Sequence, residues 1–250
     1  MFRPRVIPVL LLKDKALVKS VRFKNYKYIG DPINAVRIFN ELRADELVFL
    51  DIDASRNDRL ISLDFVRKVG EEACMPFSVG GGIRSLNDIK SILAAGAEKV
   101  VIGTRAGIEP AFIKQASDAF ASSTIVVCMD VKKKLFRGDR TWVLNGTSST
   151  QYAPVDFARL MEDNGAGELI VQSIERDGAM TGYDIDLIMT ISDAVGIPVI
   201  ALGGAGTVEH LTEAYRDGRA NAVAAGSMFV YQDTRRGVLV NYPEKGELSF

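Results

Sequence analysis

The residues best suited to chemistry in this sequence lie in two glycine-containing stretches with a common spacing. The first reads PFSVGGGIRSLNDIKSILAAGAEKVVIGT from residue 76 to 104, and the second reads PVIALGGAGTVEHLTEAYRDGRANAVAAGS from 198 to 227. Each predicts a strand, a glycine pair, a helix and a second strand. Glycine allows close approach of the backbone to a ligand, and a helix N-terminus offers unpaired N–H groups to a phosphate. A shift of 123 positions aligns Gly80 with Gly203, Gly81 with Gly204, Gly103 with Gly226 and Thr104 with Ser227.

Glycine pairs after strands also have a simpler interpretation, because Gly-Gly can merely form a tight turn. Two related pairs, each followed at the next strand end by Gly-Thr or Gly-Ser, favour two phosphate-type sites. Asp177 and Gly178 in ERDGAMTGYD place a flexible loop beside the second pair. Lys19 and Lys132 are candidates for contact with substrate anions, although most lysines lie solvated at the surface.

Asp130 follows the apolar run IVVCM and is the candidate acid or base of the chain. A carboxylate at the end of such a strand either transfers protons, with a pKa tuned by its surroundings, or accepts hydrogen bonds from loop amides. If the strands form a barrel, their C-terminal ends converge on the active site, and we therefore favour the catalytic interpretation.

Apolar runs of strand length alternate with helical patterns, which is typical of βαβ units on a parallel sheet. Eight such units predict an α/β fold, a (β/α)8 TIM barrel, as a single domain over residues 1–250. We expect strands at 5–12, 46–51, 76–79, 99–103, 124–131, 168–173, 198–202 and 221–225. We expect helices at about 31–43, 58–73, 85–95, 109–121, 154–165, 185–195 and 207–217, whereas the stretch after Ser227 specifies a helix poorly.

The internal repeat extends beyond the glycine stretches and predicts a barrel of two half-barrels. ADELV at 44–48 is similar to AGELI at 166–170, a shift of 122 positions. Long insertions follow strands one and five, at 13–30 and 132–153, and both are rich in basic and polar residues. In such barrels the loops after the strands carry function, so both insertions belong to the catalytic face.

Four strands begin with a charged residue, two basic and two acidic. Converging at the opposite end of the barrel, these side chains can form a closed ring of salt bridges. From the barrel geometry alone, we favour the interpretation that these side chains form a structural plug at that end of the barrel. The residues are Arg5, Glu46, Lys99 and Glu168.

Composition excludes several classes of function. The chain has 31 basic and 32 acidic residues, a net charge of -1, so it has no general attraction for nucleic acid or an anionic membrane. Its two cysteines, Cys74 and Cys128, both in apolar surroundings, form no metal or disulfide framework, and the single histidine, His210, argues against zinc. We expect no metal and no cofactor. The apolar run 6–12 is too short to span a membrane and lacks a cleavage signal, which predicts a cytoplasmic protein.

Nearly the whole chain, to about Tyr231, resembles the HisF-type cyclase subunit of imidazole glycerol phosphate synthase. The resemblance lies in DELVFLDIDAS, PFSVGGGI, EKVVIGT, the strand ending in Asp130, GAGELIVQSIERDG with GYD, and PVIALGGAG. It implies a phosphorylated substrate bound at both ends, and ammonia supplied by a HisH-type glutaminase docked at the barrel bottom.

The resemblance also implies roles for individual residues. One phosphate site would use Gly81, Gly82 and Thr104, and the other Gly178, Gly204, Gly226 and Ser227, with Gly203 and Asp177 beside it. Lys19 matches the family's loop lysine and Asp130 one of its two catalytic aspartates. The four charged residues match the family's ammonia gate, which reverses the preference for a plug.

The sequence departs from the family at its first strand, where Leu11 stands in the position of the other catalytic aspartate. A leucine cannot transfer a proton, and loss of a positioned acid or base costs about 10²- to 10⁴-fold in rate. LLLKD, GDPINAVRIFNE, AAGSMFV and GVLVNYP resemble instead a branch linked to surface-polysaccharide genes (WbuZ-type). That branch implies a second partner, a sugar amidotransferase, a nucleotide-linked or phosphorylated small molecule, and conversion of an N-acetyl to an acetamidino group. The alternatives are the histidine-pathway cyclase and a barrel that conducts ammonia without chemistry of its own.

Overall fold

The computed structural model describes residues 3–135, 138–232, 237–244, 246–248 and 250. Within them, eight parallel strands close into a barrel in the order β1, β4, β5, β6, β7, β10, β11, β12, and β12 pairs with β1. The predicted (β/α)8 fold is thus confirmed. The strands are β1 Arg5–Lys13, β2 Ala16–Val21, β3 Lys24–Gly30, β4 Leu47–Asp51, β5 Phe77–Gly80, β6 Lys99–Ile102, β7 Ile125–Lys134, β8 Gly138–Val143, β9 Ser148–Ser149, β10 Glu168–Ser173, β11 Val199–Leu202 and β12 Ala222–Ala225.

Helices cover the outside of the barrel, and side chains that cap their N-termini fix where several begin. Ser85 and Asp88 form a reciprocal capping box before α3, and the Thr207 hydroxyl accepts a hydrogen bond from the His210 amide at the start of α8. The helix predicted from residue 58 begins at Leu63, and a separate short helix precedes the one predicted at 109–121. The helices are α1 Pro32–Glu41, α2 Leu63–Glu72, α3 Leu86–Ala94, α4 Thr104–Ile108, α5 Ala111–Phe120, α6 Pro154–Asp163, α7 Ile185–Ser192 and α8 Val208–Arg216.

The core has two layers, because successive side chains of a strand point to opposite faces. One layer fills the barrel interior and includes Ile7, Val48 and Ile170. The other lies between strands and helices and includes Phe39, Phe49 and Phe157, all essentially unexposed. Apolar residues on both faces explain why the strands read as continuous apolar runs. Cys74 is exposed, so its predicted apolar environment was wrong, because it lies just after α2 instead of inside the helix layer.

The two insertions fold as antiparallel extensions of the barrel wall, which the sequence did not predict. β2 pairs with the end of β1 and with β3, whereas β8 pairs with the extended end of β7 and with β9. The predicted insertion 132–153 includes Phe136 and Arg137, which lie outside the described residues. The two hairpins place polar and aromatic side chains over the C-terminal ends of the barrel strands.

The chain after β12 takes a different course from the rest of the barrel. A 3-10 turn, Ser227–Phe229, follows the strand, and among the described residues no α-helix comes after it. The segment 237–242 instead runs along the barrel and reaches its bottom, where Tyr242 contacts Val6 and Asp45. None of the helices in the described part of the chain has the length and apolarity needed to cross a membrane.

Candidate functional site

Two adjoining cavities open at the C-terminal ends of the barrel strands. The larger has a volume of about 110 Å³ and the smaller about 20 Å³. Leu11, Ser20 and Gln172 line both of them and form the partition between the two. The structure therefore brings the two glycine stretches to opposite ends of one elongated site.

The first cradle consists of Gly81, Gly82 and Thr104 in the wall of the larger cavity. Both glycines have positive φ angles, 135° and 70°, which side-chain-bearing residues rarely adopt. A Cβ on Gly82 would lie 1.7 Å from the Arg59 carbonyl oxygen, so only glycine fits there. The Thr104 hydroxyl accepts a hydrogen bond from the Leu144 amide, 3.1 Å away, and thereby ties the cradle to the β8–β9 turn.

The second cradle consists of Gly178, Gly203, Gly204, Gly226 and Ser227, which line the smaller cavity with Lys19 and Asp177. Gly204, with φ of 114°, has no room for a Cβ, which would lie 2.1 Å from the Gly182 carbonyl oxygen. At Gly226 a Cβ would lie 2.5 Å from Lys19 Nζ. The ammonium group and the backbone of the cradle therefore face the same small space.

Lys19 is only 5% exposed, and its Nζ donates a hydrogen bond to the Val9 carbonyl oxygen at 2.6 Å. Burial lowers the pKa of this lysine to about 8, although the nearby Asp177 carboxylate acts in the opposite direction. The interpretation of Lys19 as a solvated surface residue is wrong, because β2 carries it inside the hairpin. Lys132, by contrast, lies over the Trp142 ring and lines neither cavity.

Asp177 is a fixed part of the site, although it lies in a stretch predicted to be flexible. Its Oδ2 accepts a hydrogen bond of 2.9 Å from the Ser20 hydroxyl, and its Oδ1 accepts one of 3.3 Å from the Gln172 amide. Burial raises the pKa of Asp177, opposed by these donors and by Lys19. The carboxylate thus ties β2 to the end of β10.

Asp130 lines the larger cavity together with Leu11. Burial, and secondarily the Asp177 charge, raises the pKa of Asp130 to about 7. The same burial, with Asp130 beside it, raises the pKa of the Cys128 thiol well above its ordinary value, so this cysteine remains protonated and a poor nucleophile. Asp130 is therefore a proton donor or acceptor suited to neutral pH, and Leu11 brings only a hydrocarbon side chain to the same cavity.

Sequence reasoning missed the residues that close the rim of the larger cavity. Arg59 forms a bidentate ion pair with Asp51. It lies before α2, in a stretch that was predicted to be part of the helix. The Tyr26 hydroxyl accepts a hydrogen bond of 2.8 Å from Asn145, which joins the tips of the two hairpins. The basic and polar composition of the insertions pointed to the Tyr26–Asn145 contact, whereas no signal in the sequence pointed to the pair of Arg59 with Asp51.

At the opposite end of the barrel, the four charged residues at the strand starts form a closed ring of ion pairs, here called the charged ring. Arg5 contacts Glu46, and its second nitrogen lies 2.9 Å from Glu168. Lys99 Nζ lies 3.2 Å from Glu168 and 3.5 Å from Glu46. Glu46 is only 3% exposed and also accepts a hydrogen bond from Ser78.

The described residues contain no group of three or more histidine, cysteine, aspartate or glutamate side chains placed to hold a metal ion. The polar groups that line the two cavities are backbone amides, hydroxyls, the side-chain amides of Asn145 and Gln172, Lys19, Arg105, and the three carboxylates of Asp51, Asp130 and Asp177. This donor set suits an anionic organic ligand bound at both ends, with Asp130 between them.

Comparison with known proteins agrees with this architecture. The histidine biosynthesis protein family matches residues 5–235. The chain is 43% identical over 99% of both chains to a Pseudomonas aeruginosa protein provisionally named imidazole glycerol phosphate synthase subunit hisF2. It is 41% identical to a provisional hisF3 subunit of Vibrio vulnificus, over 99% of this chain and 95% of the relative. It is also 41% identical to a provisional HisF subunit of Leptospira borgpetersenii, over 97% and 96% of the two chains.

Proposed function

This chain belongs to the histidine biosynthesis protein family, and from that premise we propose that it is the ammonia-accepting barrel of a glutamine-dependent amidotransferase. Ammonia from a HisH-type glutaminase enters through the charged ring and reaches an anionic acceptor in the two cavities. The ring supports the entry route because its four residues lie at the strand starts, opposite the cradles. The relatives' names as imidazole glycerol phosphate synthase subunits support the glutaminase partner.

The acceptor is an anion because both ends of the site present N–H groups and one end adds Lys19. Gly81, Gly82 and Thr104 hold one end of the ligand, and Gly178, Gly204, Gly226 and Ser227 hold the other. Gly203 lets the backbone turn into the second cradle, and Asp177 fixes the position of Ser20 beside it. A phosphorylated or nucleotide-linked small molecule has this charge distribution.

In this proposal the barrel does not carry out the cyclase reaction. The observation that supports it is the pair formed by Leu11 and Asp130. Both line the larger cavity, and the side chain at Leu11 is hydrocarbon. The other carboxylate that lines this cavity, Asp51, is held in an ion pair with Arg59. Ring closure by proton transfer on both sides of a substrate lacks one of its two groups. The site retains anion binding and one carboxyl group that titrates near neutral pH.

We propose that the ammonia serves amidation of a surface-polysaccharide sugar, in which an N-acetyl group becomes an acetamidino group. A separate sugar amidotransferase transfers a phosphoryl group from a nucleoside triphosphate to the amide oxygen. Ammonia nitrogen then forms the new bond to carbon, and the oxygen leaves as inorganic phosphate. The second candidate is the cyclase of histidine biosynthesis, favoured by 39–43% identity to subunits with that provisional name. A barrel that only conducts ammonia is the limiting form of the first proposal.

The test is a reconstitution of the barrel with purified glutaminase, sugar amidotransferase, a nucleoside triphosphate and glutamine labelled with ¹⁵N at its side-chain amide. Both candidate acceptors, the N-acetyl sugar and the cyclase substrate, are supplied. Wild type should place the label in the acetamidino product, and Lys99→Met should lower the glutamine-dependent yield at least about fivefold while free ammonium still supports the reaction. Lys90→Met, at an exposed position of α3, is the matched control. An equal ratio of glutamine-dependent to ammonium-dependent yield in Lys99→Met and Lys90→Met would leave the charged ring with a structural role only. Label found in imidazole glycerol phosphate alone would establish the cyclase.

A further inference from the structure

The C-terminal segment connects the second cradle to the charged ring along the outside of the barrel. Ser227 belongs to the cradle and also begins the 3-10 turn that ends at Phe229. The amides of Val230 and Tyr231 donate hydrogen bonds to the Ser227 carbonyl oxygen at 3.2 and 3.0 Å. A change in the backbone at Ser227 therefore acts directly on this turn.

The segment 237–242 is attached to the same turn by main-chain hydrogen bonds. The amide of Leu239 donates to the Val230 carbonyl at 3.0 Å, and the amide of Asn241 donates to the Phe229 carbonyl at 2.9 Å. The ring of Phe229, which is fully buried, packs against the ring of Tyr242 with centroids 5.6 Å apart. The turn 227–231 and the segment 237–242 are thus joined by hydrogen bonds and a ring contact, and together they are here called the C-terminal strut.

The strut ends between two barrel strands, at the Tyr242 hydroxyl. This hydroxyl donates to the Val6 carbonyl oxygen at 2.9 Å and accepts from the Asp45 amide at 3.2 Å. The β1–β4 register aligns Val9 with Val48, and its continuation by three residues aligns Val6 with Asp45, beyond the paired part of that ladder. The hydroxyl inserts between the two backbones and satisfies a donor and an acceptor that the ladder leaves unpaired.

Both residues held by Tyr242 adjoin members of the charged ring. Val6 follows Arg5 in β1, and Asp45 precedes Glu46. The Asp45 carboxylate strengthens the junction, since it accepts from the Val6 amide at 2.9 Å and from Arg3. The separation of the two strands at this point determines how Arg5 and Glu46 meet.

We propose that the C-terminal strut relays occupancy of the second cradle to the charged ring, with Tyr242 as the positioning residue for Arg5 and Glu46. An anion at the Ser227 amide and hydroxyl fixes the turn, the turn fixes Phe229, and Phe229 fixes the Tyr242 ring. The ring of ion pairs is thereby held in one arrangement when acceptor is bound. This inference rests on the proposed function only where it assigns the ring to ammonia passage.

The test uses the purified barrel alone, with sulfate as the probe and hydrogen exchange followed by NMR. The measured quantity is the ratio of exchange rates of the Val6 amide without and with saturating sulfate. In wild type, sulfate should slow this exchange at least about fivefold, the low end of ordinary coupling between sites. In Tyr242→Phe the ratio of exchange rates should be about one, although sulfate still binds. The Val6 amide keeps its Asp45 acceptor in this variant, so its exchange stays protected.

Tyr183→Phe is the matched control, since its hydroxyl also donates to a barrel-strand carbonyl, that of Ala224, at 2.8 Å. A purely structural loss would change the exchange rate without sulfate in both tyrosine variants alike. The relay requires that, of these two variants, Tyr242→Phe alone loses the effect of sulfate on the exchange rate. Lys19→Met should also lose it, which locates the effect in the second cradle. A ratio of one in wild type, or an unchanged ratio in Tyr242→Phe, overturns the proposal. Neither glutaminase nor ammonia is present, so this result is independent of the amidation test.

Discussion

The two cradles derive from the same repeated unit, yet they present different chemistry to a ligand. In the first, Arg59 is paired with Asp51 and Arg105 with Glu109, so the cradle relies on backbone amides and a hydroxyl. In the second, Lys19 lies buried against Gly226 and donates only to a carbonyl oxygen. The cations beside the first cradle are thus neutralised by neighbouring carboxylates, whereas the second cradle has a buried ammonium group facing its cavity.

This difference shows that a repeated backbone does not determine electrostatics. The glycines give both halves the same close approach, but the cation comes from the β2–β3 hairpin, which reaches across to the second half. The corresponding β8–β9 hairpin lies beside Lys132, which is placed over the Trp142 ring instead. Anion affinity and its pH dependence should therefore be unequal at the two ends of the site.

The largest effect should follow from filling either cradle. Gly82→Ala and Gly204→Ala each put a Cβ against a backbone oxygen, at a positive φ angle that alanine adopts at a cost. Each should lower the free energy of unfolding by more than about 3 kcal/mol in urea titrations. Gly30→Ala, with nothing within 4 Å of the new Cβ, is the control and should stay within about 0.5 kcal/mol. Equal stability of all three variants would mean that the cradle backbones relax freely.

A smaller and one-sided effect should follow from Lys19→Met, which removes the cation and keeps a similar length of hydrocarbon. A hydrogen bond to a charged group is worth about 1.5–3 kcal/mol, so sulfate affinity at the second cradle should fall about 10- to 100-fold. Affinity at the first cradle should be unchanged. Crystals soaked in graded sulfate measure both occupancies, with Lys132→Met as control; parallel losses at the two cradles would remove the distinction between them.

The smallest effect should appear as pH dependence. Because burial lowers the pKa of Lys19 to about 8, the ammonium is charged below that pH and neutral above it. Sulfate does not titrate in this range, so its affinity for the second cradle should fall by up to about tenfold per pH unit above 8. The first cradle should show a flat profile between pH 7 and 9. Calorimetric titrations with sulfate on wild type and Lys19→Met separate the contribution of Lys19 from that of the rest of the site. Sulfate affinity that still falls with pH in Lys19→Met would assign the titration to another group.

The sequence predicted the barrel because its signals are local. Apolar runs locate the eight barrel strands to within a residue or two at most ends, and Ser85 and Thr207 locate two helix starts. The cradles were predictable because Gly81, Gly82 and Gly204 need backbone angles that the glycine pairs reveal. Burial of Lys19, the pairing of Tyr26 with Asn145 and the course of the strut to Tyr242 depend on distant segments meeting. No pattern within either segment encodes such contacts.

The central claim is that the barrel retains anion binding and ammonia entry but has lost one of two proton-transfer groups at Leu11. Growth without histidine of a strain lacking its own cyclase subunit tests it most directly, with a compatible glutaminase supplied. We expect no growth with wild type and growth with Leu11→Asp, because aspartate there faces the cavity that Asp130 also lines. Leu50→Asp, at another position lining the same cavity, is the control and should not restore growth. Growth at a normal rate with the wild-type gene would contradict the account.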